Sequence, residues 1–352
     1  MFFSELRAVP SPLVFQLFPI YYKYILARGH GPFVIHDYYE KYGPVFRVGW
    51  GTVLFVDMAA ATAIYGNYQF SKGVMYEGFN FFGDNIISFR VREIHSQRKK
   101  LLSPAYTKKN LALVEERLRE VGVRGLVDGL KRAIKDGNSI NIYHLIRFTL
   151  WDMTSDISLG SSLGMLQGRN HHVIEAVASL LKYGIICAMF PFAKRFVPKC
   201  LKDLGLLQKT LIQEYITRRE RETKGYVGVR NLDRFYEQMK DGNKLSYEQV
   251  YAEAHIMLIA GTDTTTNSLS SFIYLMLKHP HIYNKLVKEV SSITPEGEFL
   301  TYKEVKDLLY LDAALKEALR LLPVASIPLL RDTPMDGREI CGYFIPGNVS
   351  QL

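Results

Sequence analysis

Ala260-Gly261-Thr262-Asp263-Thr264-Thr265-Thr266 sits in the middle of a helical pattern that runs from Ser246 to about His279 without a proline. Ser246 and Gln249 open it as a capping box, in which each side chain satisfies a backbone amide that the helix leaves free. A helix of this length exceeds the usual globular range and crosses a domain through its core. Its centre is a poor helix former, because Gly costs about 1 kcal/mol against Ala in a helix interior and each β-branched Thr a few tenths. Two readings account for it. A small residue lets a flat ligand approach the backbone, and a hydroxyl beside a carboxylate, after the apolar run Ile256-Met257-Leu258-Ile259, makes a proton-relay pair. Alternatively the segment is a packing contact whose threonines bond back to the preceding turn.

Working outward, helices are expected over about His281 to Ile293, Thr301 to Leu308 behind a Thr301/Glu304 capping box, and Leu311 to Leu322, stopped by Pro323. Glu317 and Arg320 lie three apart on one face of the last and can form an ion pair, a feature common on solvated surfaces and worth only about half a kcal/mol there. The tail from Ala325 onward alternates Pro and Gly with short apolar runs and reads as strands and turns. Upstream, helical patterns cover roughly Ser96 to Lys100, Leu111 to Lys135, Tyr143 to Leu159, His172 to Met189 and Cys200 to Thr223. Near the start, Val45 to Val48 and Thr52 to Val56 read as a hairpin turned at Gly49-Trp50-Gly51, and Asp57 caps a helix over Met58 to Tyr65. His95 and Lys99, four apart, can face one anionic group such as a cofactor carboxylate, or form a solvated basic patch.

Composition narrows the class. With 352 residues, 48% hydrophobic and 22% charged, the chain can bury a sizeable core, which excludes disordered, collagen-like and low-complexity classes. Cys187, Cys200 and Cys341 contain no CxxC, so neither a disulfide framework nor a zinc module is expected, and a reducing compartment is the default. A formal net charge of +9 favours acidic partners or an anionic surface. The most apolar stretch, Ser11 to Arg28, is broken by Gln16, Pro19 and Lys23, too often for a spanning helix or a signal-peptide core. With no internal repeat or linker, the expectation is one domain over residues 1–352, mainly α with a small β portion.

Taken in order, these segments resemble a cytochrome P450 of the fungal microsomal type, over nearly the whole chain. Ala260 to Thr265 (AGTDTT) is similar to the oxygen-activating motif of that family's long helix, and Lys316 to Pro323 (KEALRLLP) to its ExxR helix. Tyr42-Gly43-Pro44-Val45, Phe70-Ser71-Lys72, Ser103-Pro104-Ala105-Tyr106 and Gly342-Tyr343-Phe344-Ile345-Pro346 add further matches. The resemblance implies a P450 fold and a haem monooxygenase that inserts one atom of O2 into a lipophilic small molecule, with a place in fungal secondary metabolism. It implies haem b as cofactor, NADPH-cytochrome P450 reductase as electron donor, no nucleic-acid partner, and the endoplasmic reticulum membrane.

By the same resemblance, Asp263 and Thr264 would deliver protons during oxygen activation, and Gly261 would leave room for the haem face. His95 and Lys99, where many members carry Trp and Arg, would hold one propionate with weaker bidentate geometry, and Arg331 the other. Glu317 and Arg320 would be the structural pair. Tyr76, Phe79, Phe81, Phe82 and Phe89 would line the substrate pocket, although ordinary core packing serves any one ring as well. The departure from the family that matters most is that the thiolate-bearing loop downstream of the ExxR helix does not occur before Leu352, and none of the three cysteines stands in that context. The expectation is therefore a fold incomplete at its C-terminus, with no haem-ligating cysteine and no N-terminal anchor, and cytoplasmic or peripheral as written. The alternatives are a catalytically inactive fragment or partner-binding remnant, and an unrelated helical regulator.

Overall fold

The computed structural model describes residues 5–351 except 19, 81, 138, 191, 192, 194, 222–230, 241–244, 294–298, 327 and 328. The chain falls into two compact units, each drawn from non-consecutive segments: Met1–Arg98, Leu180–Val197 and Ala325–Leu352 in the first, Lys99–Ser179 and Pro198–Val324 in the second. It is mainly helical with a small β portion, as expected.

The described strands all lie in the first unit. Short helices α1 (Leu13–Leu17), α2 (Tyr21–Ala27) and α3 (Gly31–Tyr42) lead to the hairpin β1 (Val45–Gly49) and β2 (Thr52–Phe55), followed by α4 (Met58–Tyr65), β3 (Ser71–Lys72) and α5 (Arg92–Leu102), which runs across the boundary between the units. The hairpin and the helix after it form as the sequence predicts, and Asp57 Oδ1 accepts the Ala60 amide at 2.9 Å. Strands β4 (Arg331–Asp332) and β7 (Ser350–Gln351) complete a five-stranded sheet in the order β1-β2-β7-β4-β3, with β2 and β7 parallel and the other pairs antiparallel. A separate hairpin joins β5 (Arg338–Ile340) to β6 (Tyr343–Ile345). Strand alternation explains why both sheet faces are apolar. Val45, Val53 and Phe55 enter one buried cluster with Ile64 and Ile345, while Phe46, Val48 and Leu54 enter another with Phe15, Tyr22 and Ile25. The latter cluster is what α1 to α3 provide. They were not read from the sequence, because Pro19, Gly29 and Gly31 break the pattern into short pieces.

The second unit is helical. It contains α6 (Lys108–Arg117), α7 (Gly125–Lys135), α8 (Ile142–Leu159), α10 (Lys199–Arg221), α11 (Asn231–Lys240), α12 (Tyr247–Lys278), α13 (Pro280–Ser291), α14 (Tyr302–Val305) and α15 (Leu309–Leu321), while α9 (His172–Met189) crosses the boundary. The single helix expected over 111–135 is wound as a π-helix from Leu118 to Arg124. Gly122 sits in that wide turn so close to α8 that an added Cβ would lie 2.5 Å from Met153 Sδ. The helix expected over 301–308 closes after Val305, although its capping box forms. The Ser246/Gln249 capping box is also present, and α12 packs most extensively on α8. Leu150, Trp151, Ile256 and Ile259 are buried in these two helices, and such side chains contribute about 1.5–3 kcal/mol each. Asp152, 1% exposed, accepts the amides of Met165 (2.8 Å) and Leu166 (3.0 Å) and so ties down the turn after α8.

Candidate active site

In the second unit the Thr-rich segment divides by helix face. Thr262 and Thr266 are fully buried, whereas Gly261 and Thr264 are exposed. All four threonines donate their hydroxyls to the carbonyl four residues back: Thr262 to Leu258, Thr264 to Ala260 at 2.6 Å, Thr265 to Gly261 and Thr266 to Thr262. The local bonding read as the bland alternative is thus present, and for Thr262 and Thr266 it satisfies buried hydroxyls. It does not explain Gly261. A Cβ built there meets only Thr154 Cγ2, at an ordinary 3.5 Å, so no protein atom requires glycine. The helix carries a propensity cost of about 1 kcal/mol on an open face that the chain itself does not fill.

Asp263 does not turn toward Thr264. Its Oδ1 receives Nε and Nη2 of Arg147, from α8, at 3.2 and 3.1 Å, with the two side chains 15% and 11% exposed. Burial pushes the Asp263 carboxyl up from its ordinary value, and the Arg147 guanidinium opposes that rise. Sequence reading missed Arg147. The signal was there: an arginine between Ile146 and Phe148 on a largely buried helix needs a counter-charge. Thr264 Oγ1, though donating to Ala260, keeps acceptor lone pairs on the exposed face.

Glu317 and Arg320 do pair, as a two-pronged bridge with both contacts at 2.7 Å, and both are exposed (53% and 67%). Hydrogen bonds from Arg320 hold the Glu317 carboxyl below its usual range. Beside them Leu275, Met276, Ile282, Ala314, Ala318 and Leu321 line an apolar groove among α12, α13 and α15.

In the first unit, Arg331 Nη1 donates to Tyr76 Oη (3.1 Å) and to the Leu330 carbonyl (3.0 Å), and its guanidinium lies over the rings of Tyr65 and Tyr76 at 5.1 and 5.6 Å. Tyr76 and Phe79 pack ring to ring at 6.4 Å, and Phe89 lies under the Arg98 guanidinium at 5.3 Å. Phe82 is half-buried, and Phe81 lies outside the described residues. His95 is half-buried on α5, and Lys99, one turn on, is exposed.

Each unit by itself offers part of what a flat, anionic macrocycle needs. In the second, the face beside Gly261 suits a ring plane and Lys99 can donate to a carboxylate; in the first, Arg331 and His95 can do so. A thiolate ligand for such a group is not supplied by Cys187, buried within α9, or by Cys341, whose thiol is pushed up by burial and by Asp57, to which Sγ donates at 3.5 Å. The Cys200 side chain lies outside the described residues. No group of three or more potential metal ligands and no helix long and apolar enough to cross a membrane occurs among the described residues.

Comparison with known proteins matches residues 10–350 to the cytochrome P450 family model. The chain is 24% identical to cytochrome P450 monooxygenase AMT3 of Alternaria alternata, over 99% of its own length and 74% of that protein's. It is 27% identical to cytochrome P450 monooxygenase FUM2 of Gibberella moniliformis, over 99% and 77%, and 28% identical to tryprostatin B 6-hydroxylase of Neosartorya fischeri, over 99% and 64%. A match over nearly the whole chain leaves no room for an unrelated helical regulator: the chain belongs to the cytochrome P450 family of haem monooxygenases.

Proposed function

We propose that this chain oxidises a lipophilic small molecule of fungal secondary metabolism, with its chemistry organised at Gly261, Asp263 and Thr264. The observation that carries the reading is the open glycine at the centre of α12, paired with a carboxylate two residues further on that a buried arginine holds. Haem, when bound, supplies the activation of dioxygen. The protein's residues do the rest. Gly261 leaves space for the ring, Thr264 Oγ1 orients a water by its free lone pairs, and Asp263 supplies the proton that this water passes on. His95, Lys99 and Arg331 neutralise the haem carboxylates, and Glu317 with Arg320 braces α15. Tyr76, Phe79, Phe82 and Phe89 offer aromatic surface for an apolar substrate.

Residues 1–352 are read as one catalytic domain, since each unit recruits separate stretches of chain and no single cut divides them. A redox partner is general to the family. The +9 net charge favours an acidic one, such as NADPH-cytochrome P450 reductase, at the face of the endoplasmic reticulum membrane. Haem titration of the purified chain, followed by reduction and exposure to CO, tests the reading. Saturable binding with a strong absorbance band supports it, a far-red-shifted band would identify a thiolate ligand, and no saturable binding sinks it.

A further inference from the structure

In the first unit, residues 73–91 connect β3 to α5 and carry the rings of Tyr76, Phe79, Phe82 and Phe89. The connection is longer than most, and a long connection has much conformational freedom to lose. Two side chains tie it to the sheet. Lys72 Nζ donates to the carbonyls of Ile86 (2.8 Å) and Ile87 (3.0 Å), while Arg90 donates from Nε to the Lys72 carbonyl and from Nη2 to Asp332 on β4, both at 3.0 Å. Between these ties stands Asn85, 3% exposed. Its Nδ2 donates to the carbonyls of Phe79 (3.0 Å) and Gly83 (3.3 Å), and its Oδ1 accepts the amides of Ile87 (3.0 Å) and Ser88 (3.2 Å). Its own carbonyl accepts the Phe89 amide at 3.1 Å. Ser88 Oγ accepts the Asn85 amide at 3.0 Å and donates to the Asn85 carbonyl at 3.2 Å. Both donors and both lone pairs of the side-chain amide are therefore used, and Asn85 is bonded to the backbone of Phe79 on one side and of Phe89 on the other. Only an amide suits the position. A carboxylate of the same shape would set an oxygen against two carbonyl oxygens, and an apolar residue would strand the groups on both sides.

We propose that Asn85 is a positioning residue for the substrate surface: it fixes the backbone of Phe79 against that of Phe89, so that their rings form a preset wall selecting rigid polycyclic molecules over flexible chains. The inference rests on the reading of these rings as substrate surface. The Tyr76 ring, 6.4 Å from that of Phe79, and the Arg98 guanidinium, 5.3 Å from that of Phe89, orient the rings themselves, and Asn85 sets the spacing of the backbone that carries them. A wall already ordered loses little further freedom when a rigid ligand meets it. Once the loop is loosened, a rigid ring system must order the wall again on binding, whereas a flexible chain follows whatever shape the wall takes.

The test measures equilibrium dialysis of two probes, rigid phenanthrene and flexible dodecanol, against the full chain. Asn85→Asp keeps the size and the two accepted bonds and loses the donors, and it is expected to weaken phenanthrene binding by about tenfold and dodecanol binding by less than about threefold. Acidification that protonates the introduced carboxyl returns one O–H donor, so phenanthrene affinity is expected to recover in Asn85→Asp and not in Asn85→Ala. A merely structural loss would weaken both probes alike. Ser88→Ala removes the hydroxyl clasp and leaves the side-chain bonds of Asn85; it is expected to shift the ratio of the two affinities the same way by about threefold, and it decides the matter should neither Asn85 variant fold. Equal losses for the two probes, no loss for either, or no recovery of Asn85→Asp on acidification overturns the proposal by itself. Phenanthrene binding that is absent in the parent, or unchanged in Phe79→Ala and Phe89→Ala, overturns the aromatic-surface reading and the proposal with it.

Discussion

Gly261→Ala separates the two demands on the centre of α12. The Cβ it introduces meets only Thr154 Cγ2, at 3.5 Å, so no repacking is required and the change is felt through the helix itself. Replacing glycine by alanine in a helix interior contributes about 0.8–1.0 kcal/mol. For a chain of this size that corresponds to a rise in Tm of about 1 °C. On the outer side the methyl group occupies the face offered to a flat ligand, and haem affinity is expected to fall by roughly tenfold, the equivalent of about 1.4 kcal/mol. Urea unfolding of the purified chain measures the first effect, and haem titration by absorbance the second. The variant is thus expected to be more stable and a weaker haem binder at once. A destabilised variant would mean that the glycine is needed for packing, and a stabilised variant with unchanged haem affinity would remove Gly261 from the ring face.

Thr264→Ala in haem-loaded protein with an electron donor is expected to raise oxygen and NADPH consumption relative to product several-fold, and coupling equal to that of the parent would take Thr264 out of the relay. Asp152→Ala strips the acceptor from the buried amide of Met165 and the partly buried amide of Leu166. It should cost about 2–4 kcal/mol in denaturant unfolding, so a loss below 1 kcal/mol would show the turn to be held by other contacts. Acid stability has a defined sign at His255, whose imidazole burial pushes down from 6.5 to about 3. The unfolded chain protonates this side chain below about 6.5 while the folded one does not. Its contribution is therefore complete above that pH and lost on acidification, at about 1.4 kcal/mol per pH unit down to the folded value. His255→Phe should flatten the acid limb of the stability curve between pH 6 and 4, and an unchanged slope would refute the assignment.

Local signals carried much of the fold. The Ser246/Gln249 capping box, the Asp57 cap and the glycines at the first hairpin act within four residues, so the sequence displays them whole. Helices α1 and α2 were not legible, because each is too brief to build a period, and together with α3 they form by covering Phe46, Val48 and Leu54. At the site, the identities of Asp263 and Thr264 were legible and their orientations were not. Thr264 turns out to the open face, while Asp263 turns in to a partner 116 residues earlier in the chain. That pairing depends on how α8 lies on α12, and no local pattern encodes it. The substrate rings behave similarly: Tyr76 proved to be a partner of Arg331, a contact spanning 255 residues.

The parallel pairing of β2 with β7 sets an order on folding. Thr52 meets Ser350, so one bridge of the sheet closes a loop of nearly 300 residues, at an entropic cost of about 5 kcal/mol before any contact repays it. Helices α6 to α8 and α10 to α15 need no such closure and can form while the chain is still emerging from the ribosome. The hairpin β1–β2 is made early but waits for the tail, presenting the edge of β2 to solvent throughout synthesis. That edge is where a chaperone, or an unwanted strand from another chain, has the longest opportunity to bind.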